Sequence, residues 1–279
     1  MLRILSIAAV FSLLLTPGLS QLAHAADPLN VSVRGNVLTA DLQVPGGYSA
    51  KLTVTFENVV GLSADSLNVT AAAINPLDLN LLARLGNVVS GIPAGFPMLV
   101  SIEPDPNRGL SFSGIVTVEL YTHDLEFVAA SPLRLFSAPH GGAFEDITVR
   151  HSSGSYRSGG TKGNFSEFII AVDARTPINA AGDKLQRLRS LLDGVATAID
   201  ADIYNELSGL LSAAESAYAS NQLVAAVTYV EAFADVVENH GNAIPNVWSA
   251  SHSLENIAGK LRAAAGTLRF SLTLAINNL

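Results

Sequence analysis

The chain has 279 residues, of which 14% are charged and 49% hydrophobic, against about 25% charged in ordinary soluble proteins. It contains no cysteine, which excludes disulfide scaffolds, Cys-ligated zinc, iron–sulfur clusters and thiol nucleophiles. The 16 basic and 24 acidic residues leave a net charge of −8, the wrong sign for a phosphate-binding surface such as nucleic-acid recognition needs. At about 150 residues per domain, the length suits two domains, each able to bury a core.

The N-terminus reads as an export signal. Met1-Leu2-Arg3 is a short positive start, and Ile4 to Leu15 is an uncharged apolar run of h-region length. Thr16-Pro17-Gly18 breaks a helix, and Ala23-His24-Ala25 has the A-x-A form of a cleavage site. A membrane span needs about 20 apolar residues, so this run is too short, as is Phe270 to Leu279. The expectation is a signal peptide over 1–25, cleaved near Ala25, no transmembrane segment afterwards, and a secreted or periplasmic protein. With only four lysines (51, 162, 184 and 260) and no cysteine, the composition suggests a bacterial exported protein. The N-x-S/T triplets at Asn30, Asn68 and Asn164 are then chance rather than glycosylation sites.

From Asp27 to about Ala174 the pattern is extended. Val31, Val33 and Val37 flank a Gly35-Asn36 turn, a hairpin signal. Leu52, Val54 and Phe56 share one face of a strand running from Tyr48. Ile115–Tyr121 and Leu133–Phe136 are further strands; Glu145–Arg150, Ser152-Ser-Gly-Ser155 and Tyr156-Arg157 read as a hairpin; Phe165–Val172 closes the set. Apolar residues at 77, 81, 82 and 85 suit a short helix within Pro76–Leu85 that crosses one end. Short strands punctuated by Gly, Pro and Asn predict an antiparallel β-sandwich over 27–174.

After Thr176-Pro177 the period changes to about 3.6. Leu185, Leu188, Leu192, Val195 and Ile199 form one stripe; Ile203, Leu207, Leu210, Ala214 and Tyr218 a second. Leu223, Val227, Val230, Phe233, Ala234 and Val237 form a third, with His240-Gly241 as its glycine cap. Leu254, Ile257, Leu261, Ala264 and Leu268 form the fourth, after a loop over Gly241–Ser253. The expected fold class is therefore α+β and two-domain: an antiparallel β-sandwich followed by an antiparallel four-helix bundle over 178–279.

Gly109-Leu-Ser-Phe-Ser-Gly-Ile-Val-Thr-Val-Glu-Leu120 is similar to the opening strand of ZU5-like sandwiches of extracellular proteins. Phe165-Ser-Glu-Phe-Ile-Ile170 is similar to the Phe-Ser-x-Phe strand that closes them. In the second half, Leu207, Leu211, Ala214, Ala225, Ala226, Phe233 and Val237 resemble the spacing of FIMAH-like helical modules of bacterial extracellular proteins. Both resemblances imply an accessory or interaction module, and neither carries over an active-site residue.

Candidate chemistry is sparse. His140, Glu145, Asp146 and His151 lie within twelve residues, but metal ligands must converge. On a strand, Glu145 and His151 point one way and Asp146 the other. Glu103-Pro-Asp105-Pro-Asn107-Arg-Gly109 supplies oxygens that calcium accepts, although Arg108 opposes a cation and turn chemistry explains the same residues. No G-x-S-x-G elbow occurs; Ser153-Gly154-Ser155 and Ser158-Gly159-Gly160 read as hairpin material. Trp248, the only tryptophan, is a candidate ligand-stacking platform or a plug against the neighbouring domain. Tyr48, Tyr121 and Tyr156 are core or edge residues before they are a binding face.

The leading expectation is an exported, non-enzymatic binding or structural protein that needs no cofactor, its partner another exported protein or a glycan. The alternative is an extracellular carbohydrate-active or metal-dependent hydrolase with its site at the domain junction. Convergence of two or more of His140, Glu145, Asp146 and His151 within about 5 Å in one pocket would favour it.

Overall fold

The computed structural model describes residues 25–128 and 131–277. Apart from Ala25, the expected signal peptide lies outside the described residues. β1 (Asn30–Arg34), β2 (Val37–Val44) and β3 (Tyr48–Val60) form an antiparallel meander. Arg34 pairs with Val37 across the Gly35-Asn36 turn, where Gly35 takes φ +60°, which costs glycine little. Leu38, Ala40, Leu42 and Val44 of β2 face inward, as do Leu52, Val54 and Phe56 of β3, so the alternation reports a sheet with one buried face.

The next elements are α1 (Ala64–Leu67), β4 (Val69–Ala73), α2 (Leu79–Leu85), β5 (Val89–Gly91) and β6 (Met98–Ile102). They are followed by β7 (Ser111–Thr122), β8 (Leu133–Ala138), β9 (Glu145–Asp146), β10 (Thr148–Ser152), β11 (Tyr156–Lys162) and β12 (Glu167–Asp173). One sheet has the order β1-β2-β3-β7-β11-β10; the other runs β4-β6-β12-β8-β9, with β5 also on β12. Val54, Phe56, Val116 and Val118 of the first share a core with Met98, Val100, Leu135, Phe168 and Ile170 of the second.

Expected at one end of the sandwich, the short helix instead covers the outer face of the second sheet. Leu81 and Leu85 of α2 cluster with Phe136, Phe144, Ile169 and Ala171. That face is apolar because β12 carries Phe168-Ile-Ile-Ala171 without alternation, the signature of a strand buried on both sides. Ser158-Gly159-Gly160 also departs from expectation, lying inside β11 while Gly154 and Ser155, both at positive φ, make the turn. A Cβ at Gly160 would sit 2.5 Å from the Ile147 side chain; the close approach requires glycine there.

The helices are α3 (Pro177–Gly194), α4 (Ala201–Ala219) and α5 (Leu223–Asn239), then a strand β13 (Val247–Ser249), then α6 (Ile257–Asn277). Pro177 opens α3 behind Thr176, whose hydroxyl accepts from Asn179 N; Asp200 caps α4 by accepting from Asp202 N at 3.0 Å. Leu188, Leu207, Leu211, Val230, Phe233, Leu261 and Leu268 share a core. Gly241 is not the cap expected: α5 ends on His240 at φ −107°. Leu254, expected on the last stripe, precedes α6 and is 52% exposed. The loop expected over 241–253 contains β13, which pairs Trp248 with Phe112 and adds a strand to the first sheet. Three residues are too few for any period to register.

The protein therefore combines antiparallel sheets with six α-helices among the described residues. None of these helices is long and apolar enough to cross a membrane.

Candidate functional site

The sheets and helices meet at an interface built on polar contacts. In the β3–β7 ladder the register shifts between Phe56 and Asn58, opposite Gly114 at φ +75°. Such a bulge turns a side chain out of the pleat, and Glu57 is that side chain. Its carboxylate accepts from Arg262 of α6 at 2.7 and 3.0 Å, and from Ile115 N at 3.1 Å. Beside it, the fully buried Asn256 donates to Gly114 O at 2.6 Å and accepts from Gly259 N at 2.7 Å, holding the first turn of α6 against β7.

At the opposite edge, β9 meets α3. Lys184 Nζ lies 2.6 Å from Asp146 Oδ2, with side-chain exposures of 6% and 1%. Lys184 also donates to Ser271 Oγ at 3.0 Å and Thr267 O at 3.2 Å, while Asp146 Oδ1 accepts from Thr148 N at 2.9 Å. Burial pushes the Asp146 carboxyl up, and the Lys184 charge reverses this and holds it below its ordinary range. One turn along α3, Arg187 pairs with Glu145. His151, on β10, packs its ring on Tyr156 and Phe270. Burial, aided by Arg134, pulls it down to about 4.

Two clefts open here, one on each side of the turn between β11 and β12. The first, about 180 Å³, is lined by Glu145, Asp146, Lys162, Arg187, Lys260 and Thr267, among others. Lys162 is nine-tenths buried, and its side chain makes no hydrogen bond or ion pair among the described residues. Burial draws its ammonium down to about 8, against the pull of Glu145. The second cleft, about 450 Å³, is lined by Glu103, His140, Ser166, Glu167, Trp248 and Glu255, among others. The Ser166 hydroxyl is buried there without a partner among the described residues. Pro139, Asn164 and Lys260 border both clefts.

The structure brings Glu145 and Asp146 to one cleft, each already engaged by a cation of α3, and places the other residues singled out from sequence elsewhere. His140 contacts Glu103 and Glu167 in the second cleft; Glu145 and Asp146 line the first; His151 belongs to neither. Among the described residues, no three His, Asp or Glu side chains are grouped as a metal ion needs. Asp105 is engaged within its own turn, accepting from Asn107 N at 2.8 Å and from Arg108; the Asn107 N–H in particular lowers its carboxyl. Trp248 is 5% exposed and packs on Phe112, Phe165 and His252 at 5.3–5.9 Å, so the indole belongs to the sheet core and only its edge reaches the cleft. The tyrosines form no common binding face: Tyr156 is fully buried and bonds Leu133 O, Tyr48 packs partly buried against the same core, and Tyr121 lies on the other face of the sheet under Arg157.

No motif or spacing in the sequence points to Lys162, Arg187 or Ser166 as site residues. One signal was available: Lys184 falls on the stripe of Ala181, Leu185, Leu188 and Leu192, and a lysine on an apolar stripe implies a buried partner.

No curated protein matches the chain. A family of unknown function, DUF6689, matches residues 13–275. The chain belongs to that family.

Proposed function

We propose that this is an exported, non-enzymatic binding or structural protein. In this reading an antiparallel β-sandwich over 27–174 and an antiparallel four-helix bundle over 178–279 are docked so that a ligand site opens between them. One observation carries it: both clefts are lined from the two halves at once, and the acids of the first, Glu145 and Asp146, are each held by a cation of α3 instead of being set beside a nucleophile as base and orienting acid. The shared core of the two sheets and the separate core of the helices support the two-part architecture. The signal-like composition of residues 1–25 supports export.

The chain, expressed with its own first 25 residues, should be recovered from the periplasm or the medium and start near Ala26. The purified product should bind a glycan or an exported protein without turning it over. Hydrolysis of a cell-wall or polysaccharide substrate, lost on replacing one carboxylate, would sink the reading.

A further inference from the structure

We propose that the cleft between β11, α3 and α6 is a binding site for a small oxyanion, a phosphate or carboxylate group held by the Lys162 ammonium. The inference deepens the binding reading above and rests on it. Its ground is the contrast among buried charges at this interface. Asp146 and Lys184 neutralise each other, and Arg187 is met by Glu145. Lys162 is nearly as deeply buried as the Lys184–Asp146 pair, while Arg187 and Glu145 remain partly exposed, yet no carboxylate lies within ion-pairing reach of Lys162 among the described residues. A buried charge without a counter-charge is strongly unfavourable, so the position either sheds its proton or takes a counter-ion from solution.

The geometry favours the counter-ion. By strand alternation Lys162 shares the face of Tyr156, whose hydroxyl bonds Leu133 O on the opposite sheet. Lys162 is therefore directed between the sheets at their open end, where the cleft gives its amine access to solvent. Arg187 and Lys260 stand at the rim, each already held by one carboxylate, Glu145 and Glu255. With Lys184 and Asp146 counted, the cationic groups exceed the acidic ones by a single charge, that of Lys162. The volume of about 180 Å³ admits inorganic phosphate or the acid end of a sugar acid. The depressed lysine is what an amine buried without its counter-ion shows, and an anion in the cleft would reverse that depression.

Thermal unfolding of the full exported chain at pH 7 tests this, with inorganic phosphate, glucuronate or chloride at matched ionic strength. Phosphate or glucuronate at about ten times its Kd should raise Tm by about 3 °C over chloride. A shift with both probes identifies a general oxyanion site, and with glucuronate alone an acidic-sugar site. Lys162→Met should abolish the shift, whereas Lys51→Met, on an exposed strand position, should keep it. Should Lys162→Met fail to fold, reductive methylation read by mass spectrometry replaces it: the anion should slow modification of Lys162 several-fold relative to Lys51. No excess over chloride with either probe, a shift that survives Lys162→Met, or unprotected methylation overturns the proposal. Such a failure without any hydrolytic activity rejects the anion cleft alone, since the wider reading falls only on hydrolysis.

Discussion

Lys184 and Asp146 are 2.6 Å apart and both almost wholly buried, one on the first helix after the sheets and the other on their last edge strand. The pair joins two regions whose apolar cores are separate. Desolvating two charges is costly, and their attraction offsets this only with good geometry and further hydrogen bonds, which Thr148, Ser271 and Thr267 supply.

Removing one partner should be far worse than removing both. Lys184→Met is expected to destabilise by about 3–5 kcal/mol, because Asp146 is left charged and buried. Lys184→Met with Asp146→Asn should regain most of that loss, since the neutral amide oxygen still accepts from Thr148 N. Urea unfolding of the three chains, compared by midpoint at constant slope, decides it. Equal losses in the single and double variants would contradict the account.

His151 makes stability depend on pH. Its folded pKa, about 4, lies below the ordinary 6.5, so between these values the unfolded chain binds more protons. Stability from this group is complete above pH 6.5 and is lost as pH falls toward 4. Allowing for partial exposure, the loss should be about 1–2 kcal/mol. Asp146 titrates below this window. His151→Phe, which keeps a ring against Tyr156 and Phe270, should flatten the profile between pH 6.5 and 4; an unchanged slope would rule His151 out as its source.

The start of α6 has no room for a side chain at Gly259. A Cβ there would overlap Asn256 Nδ2 and Gly114 O, the two ends of the hydrogen bond that fixes the helix to the bulge. Gly259→Ala should therefore cost about 1–3 kcal/mol, against the usual gain for this change in a helix. Trp248, close by and the only tryptophan, should report it as a red shift in emission at neutral pH.

Trp248 itself should behave as a core residue. Trp248→Ala is expected to cost about 3–5 kcal/mol, since the indole packs on Phe112 and Phe165. Trp248→Phe, which keeps a ring beside Phe112, should cost less than half of that by denaturant unfolding. A loss of ligand binding in Trp248→Phe with unchanged stability would instead make the indole a contact residue.

Much of the local structure could be read directly, because a strand with one wet face alternates and an amphipathic helix repeats every 3.6 residues. β2 and β3, with Leu38 to Val44 and Leu52 to Phe56 alternately buried, follow the first rule; Leu185, Leu188 and Leu192 follow the second. Elements that break these rules were misplaced or missed. β13 is too short to have a period, and Gly159-Gly160 looks like a turn but serves a strand crowded by Ile147 and Arg150; β12, though apolar on both faces, still reads as a strand over Phe165–Val172.

Composition and spacing alone thus determined the switch from extended to helical periodicity near Pro177, the lack of thiol chemistry and the candidate acids and histidines. Which charges meet was decided only in three dimensions. Glu57 and Arg262 are 205 residues apart, Lys184 and Ser271 87, and no local pattern couples positions so distant. His140, Glu145, Asp146 and His151 are neighbours in sequence, yet only Glu145 and Asp146 reach a common cleft, while the passage from β9 to β10, between two sheets, sends His151 elsewhere and His140 lines the other cleft. The same passage leaves Lys162 facing a cleft with no acid within ion-pairing reach, and that property belongs to the packing of the halves.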